Sequence, residues 1–204
     1  MEKRIIMMYS ILILIMVISI AGYFIHNSLY TETLNSEFES NLNAAHGYYQ
    51  ERLIKMDESS AALPPTIRQN NGYDAEQMKN VMEIDKQSEE LLNKEIDSLN
   101  EAKKNAISNT PKEYIDLLID SRESNQKYFE TLLKLMETNL KFAQGTISLG
   151  EQNSLIGQYS DELSSIEKDT SKLDKIKTFL ESNPDFKEKL VNMGLKGEYL
   201  GETS

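Results

Sequence analysis

Residues 110–143 read TPKEYIDLLIDSRESNQKYFETLLKLMETNLKFA, and this stretch decides the fold. It opens with the strongest helix-start signal in the chain. Thr110 can cap a helix, Pro111 suits its first position, and Glu113 completes a capping box. Apolar residues then recur every three or four positions, which predicts one long helix ending near Gly145. The broad apolar surface comprises Tyr114, Leu118, Phe129, Leu132, Met136, Leu140 and Ala143, with Leu117, Tyr128, Leu135 and Phe142 beside them.

A second long helix is predicted before this one. Asp74 and Gln77 form its capping box, and it should reach about Ser108. Only one or two residues then remain before Thr110, so the two helices must be antiparallel neighbours. A solvated face is predicted for its carboxylates, because lysines alternate with them at helical spacing. These carboxylates are Glu89, Glu90, Glu95 and Asp97, and the apolar stripe is Met78, Val81 or Met82, Asp85, Leu92, Ile96, Leu99 and Ala102 or Ala106.

Two more long helices flank this pair. The first should end near Asp57, before a loop over 58–71, and the last should run from Gly150 to Asn183. A short helix is expected from Pro184 to Gly194, where glycine ends it. The first helix has an apolar face of Leu34, Phe38, Leu42, Ala45, Tyr49, Leu53 and Met56. The last has a near-heptad, coiled-coil-like seam of Leu155 or Ile156, Tyr159, Leu163, Ile166, Thr170, Leu173, Ile176 and Leu180.

The fold class predicted from these segments is all-α. The four long segments are each about 42–53 Å long at 1.5 Å per residue, and helices of matched length pack best side by side. We therefore expect an elongated antiparallel four-helix bundle with a short C-terminal helix over residues 28–194. Residues 195–204 contain separated charges and two glycines, and a flexible tail is predicted for them.

The N-terminal residues 1–27 are predicted to be a signal anchor. Ile5 to Ile25 contains no Asp, Glu, Lys or Arg, and about 21 helical residues span the 30 Å hydrocarbon core of a bilayer. A cleaved secretory signal is the first alternative, because Ser19-Ile20-Ala21 loosely fits a cleavage site. A buried core helix is the second. Lys3 and Arg4 precede the run, which predicts a cytoplasmic N-terminus and an extracytoplasmic C-terminal part. The expected location is the cell membrane with a single pass; a cleaved product would be secreted.

Composition argues against several kinds of partner. Glu2, Lys3 and Arg4 are the only charged residues before residue 28, so the rest of the chain has a formal charge of −12, against −11 for the whole. Such an acidic surface repels nucleic acid. We expect the partners to be the membrane and either another protein or further copies of the chain.

The sequence also lacks the usual catalytic and metal-binding signatures. Cysteine is absent and there are only two histidines, His26 at the predicted membrane exit and His46 on the first helix. No Glu-x-x-His pair of the di-iron type and no glycine-rich phosphate loop is present. We therefore predict no catalytic residue, no cofactor, no metal and no enzymatic activity.

Three polar residues are the candidate site. Ser121 and Asn125 fall in register with the apolar stripe that contains Leu118 and Phe129, and Arg122 lies beside them. Polar residues on a core face can line an internal ligand pocket. They can equally form a polar layer that fixes the helix register, or face solvent at a loosely packed level. Arg122 would pair with a ligand carboxylate in the first case, and otherwise with Glu123, Glu89 or another surface acid.

The leading interpretation is a membrane-anchored helical bundle that acts through protein or cell-envelope contacts. The alternative is a ligand-binding or sensory bundle that signals through a partner. In architecture the chain resembles the sensing modules of bacterial chemoreceptors and histidine kinases. Those modules return to the membrane through a second span, whereas no apolar run follows Asn183 here. The resemblance therefore assigns no family.

Overall fold

The computed structural model describes residues 36–62, 75–167 and 171–202, and over these ranges it confirms the all-α prediction, with no strand in them. The helices are α1 over 36–62, α2 (Ala75–Asn105), α3 (Asn109–Ala143), α4 (Leu149–Glu167), α5 (Ser171–Ser182), α6 (Pro184–Asn192) and the 3-10 helix η1 (Gly197–Leu200).

Neighbouring helices run in opposite directions. The evidence is that paired residues advance along one helix as they retreat along the next. The pairs are Arg52–Glu95 and Ser59–Asp85 between α1 and α2, Lys103–Asp116 and Asn93–Gln126 between α2 and α3, and Asn139–Gln152 and Asp120–Lys172 between α3 and the α4 and α5 helices. The described helices thus form an antiparallel bundle in which α4 and α5 together occupy the fourth position.

The main hydrophobic core lies near the end of the bundle where α1 begins. Side chains from α1, α2, α3, α5 and α6 meet there with almost no exposure, and each buried leucine or isoleucine contributes about 1.5–3 kcal/mol. The core includes Leu42, Leu99, Ile115, Leu118, Ile176, Leu180 and Leu190. A smaller cluster nearer the other end contains Met78, Val81 and Met136.

Several predicted helix boundaries are corrected by a few residues. The first helix continues past Asp57 to residue 62, and α2 ends at Asn105 rather than at about Ser108. Ser108, not Thr110, occupies the cap position of α3, because its backbone is extended (φ −113°, ψ 169°) and Asn109 is already helical. The predicted stop near Gly145 is confirmed, since that glycine has a φ of +70°.

The last predicted long helix is described as α4 and α5, and residues 168–170 between them, with the seam residue Thr170, lie outside the described residues. The short helix from Pro184 is confirmed as α6, which has proline at its first turn and buries Leu190. Gly194 follows it with a φ of +83°, as a helix-ending glycine does.

The prediction of a flexible tail is wrong for residues 195–202. We call these residues the C-terminal segment. Leu195, Tyr199 and Leu200 are exposed by only 2 %, 0 % and 9 %, because the segment folds back onto the bundle after α6. Gly197 and Gly201 have positive φ values, which let the chain turn at both ends of η1. The flexible tail was predicted from the charges and glycines of the segment, whereas its three apolar residues are buried together.

None of the helices described above is long and apolar enough to cross a membrane. The predicted anchor over 1–27 lies outside the described residues. So do Leu34 of the first apolar face, the predicted cap Asp74 and the stretch 63–71 of the predicted loop.

Candidate functional site

Four charged side chains form a cluster at mid-height in the bundle, three of them buried and the fourth, Glu198, half-buried. Arg122 of α3 is fully buried; its Nε donates to Oε1 of Glu95 on α2 and its Nη1 donates to Oε2 of Glu198 on η1, each at 2.5 Å. Arg52 of α1 donates through Nη2 to Oε2 of Glu95 at 3.4 Å. We call Arg52, Glu95, Arg122 and Glu198 the ion cluster. It connects α1, α2, α3 and the C-terminal segment.

Aromatic rings enclose the ion cluster. The guanidinium of Arg122 lies 5.2 Å from the ring centre of Tyr49 and 5.3 Å from that of Tyr199, and Arg52 lies 5.4 Å from Tyr49. These are cation–π distances, so the rings stabilise the cations where water is excluded. The Tyr199 hydroxyl also donates to Oε1 of Glu95 at 3.0 Å, and the Tyr114 hydroxyl donates to the carbonyl of Tyr199 at 2.7 Å.

The ion cluster is formally neutral, because two guanidiniums face two carboxylates. Burial alone would lower the pKa of Arg122, but Glu95 and Glu198 raise it overall, so Arg122 stays charged. Burial and the nearby Glu95 raise the pKa of the Tyr199 hydroxyl, so Tyr199 stays protonated and donates. Removing one member of such a buried set leaves an uncompensated charge and costs about 3–5 kcal/mol.

His46 of α1 extends the cluster towards the C-terminal segment. Its Nε2 accepts the backbone N–H of Lys196 at 3.3 Å, and its ring lies edge-on to Tyr199 with a centroid distance of 5.0 Å. The side chain is 7 % exposed. Burial lowers the pKa of His46 below 6.5; Glu95 opposes this shift, whereas Lys196 and Arg122 reinforce it. The ring is therefore neutral at pH 7.

A cavity of about 700 Å³ lies beside the ion cluster. Its wall from α3 includes Ser121 and Asn125, the two residues that the sequence singled out, and η1 contributes Glu198. The remaining lining residues are Arg52, Leu53, Met56, Asp57, Ser124, Tyr128, Phe129, Ile166, Lys172 and Leu173.

The three predicted site residues are placed differently. Ser121 is buried, with its Oγ 3.4 Å from Nη1 of Arg122, and Asn125 is half-buried at the cavity wall. The expectation that Arg122 pairs with a surface acid is wrong, because its partners are Glu95 and Glu198 inside the bundle. Among the described residues, Nη2 of Arg122 and Nε of Arg52 find no hydrogen-bond partner, and both atoms are buried.

Three members of the ion cluster were missed from the sequence: Arg52, Glu95 and Glu198, the last of which lies in the predicted flexible tail. Glu95 was assigned to a solvated face, yet it is fully buried. It lies three residues after Leu92 and four before Leu99, which is the spacing of the buried stripe. Arg52 has the same spacing from Tyr49 and Met56. That register was the available signal, and the charge of these side chains obscured it.

The carboxylate of Glu95 is the centre of the ion cluster. Oε1 of Glu95 accepts hydrogen bonds from Arg122 and Tyr199, and its Oε2 accepts one from Arg52, so this carboxylate is engaged on both sides. Within 36–62, 75–167 and 171–202, no group of three His, Asp or Glu side chains is placed to hold a metal ion.

Comparisons with known proteins found no match. No protein-family model, no curated protein and no solved structure matches the chain. The ion cluster, the cavity and the exposed surface are therefore interpreted from their own chemistry.

Proposed function

We propose that this protein is a membrane-anchored, extracytoplasmic helical bundle that acts by binding another protein or a component of the cell envelope, without catalysis. Residues 1–27 are its single span, with the N-terminus in the cytoplasm. The support for the anchor is the uncharged run Ile5 to Ile25 and the basic residues before it.

The observation that carries the binding proposal is the apolar surface at one end of the bundle. Phe142 and Leu149 flank the turn between α3 and α4 and are 38 % and 59 % exposed. We call this turn the distal tip. Solvent-exposed large apolar side chains grouped at one place favour an interaction surface. Along the adjoining α4, Leu155, Ile156, Tyr159 and Leu163 are only half-buried.

The distal tip lies at the end of the bundle farthest from the start of α1. Helices α1 and α3 run in the same direction, since both are antiparallel to α2. Arg122 is level with Arg52, and Phe142 lies 20 residues further along α3, or about 30 Å. A chain anchored through residues 1–27 would hold this tip away from the membrane, where a partner can reach it.

Site-specific photocrosslinking tests the tip. A benzophenone amino acid at position 142 or 149 should crosslink a partner in intact cells. The double variant Phe142→Ser, Leu149→Ser should lose the partner in a pull-down from solubilised membranes. The matched control is Ile107→Ser, Val191→Ser, because these side chains are similarly exposed (44 % and 49 %) at the other end of the bundle. Equal loss of the partner in both double variants would contradict a specific role for the tip.

Cysteine labelling tests the anchor. The chain has no cysteine, so a single substitution gives one reactive thiol. In intact cells a membrane-impermeant maleimide should label Glu202→Cys and should label Glu2→Cys only after lysis. Labelling of Glu2→Cys in intact cells, or protection of Glu202→Cys, would contradict the proposed topology.

A ligand-binding or sensory role is the second candidate, and the cavity beside Ser121 and Asn125 favours it. In that case a small molecule raises the melting temperature of the wild-type chain, and Asn125→Leu abolishes the rise. A partner that binds without any such ligand supports the first proposal instead. Hydrolytic turnover by the purified chain would contradict both.

A further inference from the structure

The C-terminal segment is held by a small number of specific contacts. Glu198 pairs with Arg122, the Tyr199 hydroxyl donates to Glu95, and the Tyr199 carbonyl accepts from Tyr114. A further polar contact lies at its first turn, where the Lys196 N–H donates to His46. Of the bundle side chains that make these hydrogen bonds, His46 alone has an ordinary pKa close to neutral pH.

The contact between Lys196 and His46 fixes the protonation state of the ring. A backbone N–H can only donate, so Nε2 of His46 must be the unprotonated, accepting nitrogen. If the ring took up a proton, Nε2–H would face the Lys196 N–H, and two donors would oppose each other. Gln50 also lies 3.4 Å from the same nitrogen, and the Tyr49 and Tyr199 rings pack around the imidazole.

The charges that face His46 also disfavour a cation there. Glu95 of α2 attracts a protonated ring, but that carboxylate already pairs with Arg52 and Arg122. Arg122 of α3 and Lys196 of the C-terminal segment repel it. A protonated His46 would therefore be a further buried cation near the Arg122 guanidinium. Moving Lys196 and Tyr199 away would let water reach it.

We infer that His46 makes the docking of the C-terminal segment acid-sensitive, so that protonation of the ring releases residues 195–202 from the bundle. Release would expose the surface that Leu195, Tyr199 and Leu200 now cover and would leave Arg122 without Glu198.

The direction of the effect follows from linkage. Burial lowers the pKa of His46 in the docked state, so the undocked state binds the proton more tightly. Docking is then at full strength above about pH 6.5 and weakens as the pH falls from there towards the lowered value. One proton changes the docking constant by at most about tenfold per pH unit.

Pulsed EPR on the full chain tests this inference. Nitroxides on Asn43→Cys and Glu202→Cys report the distance from α1 to the end of the segment, in a protein that has no other thiol. Between pH 7.5 and pH 5.0 we expect a growing population at longer distances. With His46→Gln, which still offers an acceptor oxygen but cannot take up a proton, the docked population should stay constant. Tyr199→Phe is the control, since it should weaken docking equally at every pH.

Two results would overturn the inference. One is a distance distribution that stays the same down to pH 5.0. The other is an equal acid response in wild type and His46→Gln, which would assign the effect to Glu198 or another carboxylate. If His46→Gln fails to dock at pH 7.5, ¹⁵N NMR of the wild-type histidines decides. Titration of His46 must then coincide with the distance change, and titration without that change rejects the inference.

Discussion

Replacing Glu95 by glutamine should be among the most destabilising polar substitutions in this chain. The change keeps the size of the side chain and removes one negative charge. The side chain of Glu95 is fully buried, and it faces Arg122 at 2.5 Å and Arg52 at 3.4 Å. With glutamine in its place, Arg122 keeps only the carboxylate of Glu198, and Arg52 loses the carboxylate with which it pairs. Breaking a buried ion pair in this way costs about 3–5 kcal/mol.

The assay is urea unfolding of the full chain, followed by circular dichroism at 222 nm. We expect the free energy of unfolding to fall by about 3–5 kcal/mol and the melting temperature by about 6–20 °C. Glu101→Gln is the matched control. Glu101 is also a glutamate of α2 with an ion-pair partner, Lys104, but its side chain is 54 % exposed. Its loss should change the free energy of unfolding by less than about 1 kcal/mol.

A double variant separates charge balance from packing. Arg52→Met in the Glu95→Gln background restores neutrality, because Arg122 and Glu198 then remain as one pair. It should therefore recover part of the lost stability. Two results would refute a role for charge balance. One is a free energy of unfolding for Glu95→Gln within about 0.5 kcal/mol of wild type, and the other is further destabilisation by the added Arg52→Met change.

Four further substitutions test other parts of the structure. Gly201→Ala should undock the C-terminal segment and expose residue 202 to carboxypeptidase, because φ is +70° there and a Cβ would lie 2.6 Å from the Lys177 backbone nitrogen. Gly157→Ala is the matched control, because a Cβ at this position of α4 meets nothing within 4 Å. It should stabilise the chain by about 0.5–1 kcal/mol in urea unfolding. Tyr114→Phe should cost about 1–3 kcal/mol in the same assay, since the buried carbonyl of Tyr199 loses its donor. Burial raises the pKa of Asp85 above its ordinary value of 3.8, so folding favours the protonated form, and the free energy of unfolding falls as the pH rises from 3.8 to the raised pKa. Asp85→Asn should remove this part of the pH dependence and raise the free energy of unfolding at pH 7. An unchanged pH profile would contradict the assignment.

The sequence predicted the helices well because their apolar residues recur with one period. Leu42, Leu99, Leu118 and Ile176 were all placed on buried faces by spacing alone, and each is buried. The Gly145 stop and the Pro184 start were predicted correctly for a local reason, since backbone conformation at these residues depends little on the rest of the chain. The prediction of an anchor over 1–27 remains a prediction.

The ion cluster was harder to predict because its members come from four separate parts of the chain. Helical periodicity places Glu95 in register with the buried stripe of α2, but it cannot reveal that Arg122 and Arg52 face this carboxylate. The burial of Tyr199 likewise depends on α6 turning the chain back towards the bundle. Helical register alone identified Ser121 and Asn125. The contacts of the neighbouring Arg122 could be found only from the tertiary structure.

Residues 195–202 are an integral part of the bundle and complete its ion cluster. Amide hydrogen exchange of the full chain at pH 7.5 tests this most directly. The amides of Leu195, Lys196, Gly201 and Glu202 donate to Leu190, His46, Glu198 and Gly197, respectively. We predict that the peptide covering these residues exchanges far more slowly than an unstructured chain, and that Glu198→Gln accelerates it. Exchange at the unstructured rate in the wild-type protein would contradict the account.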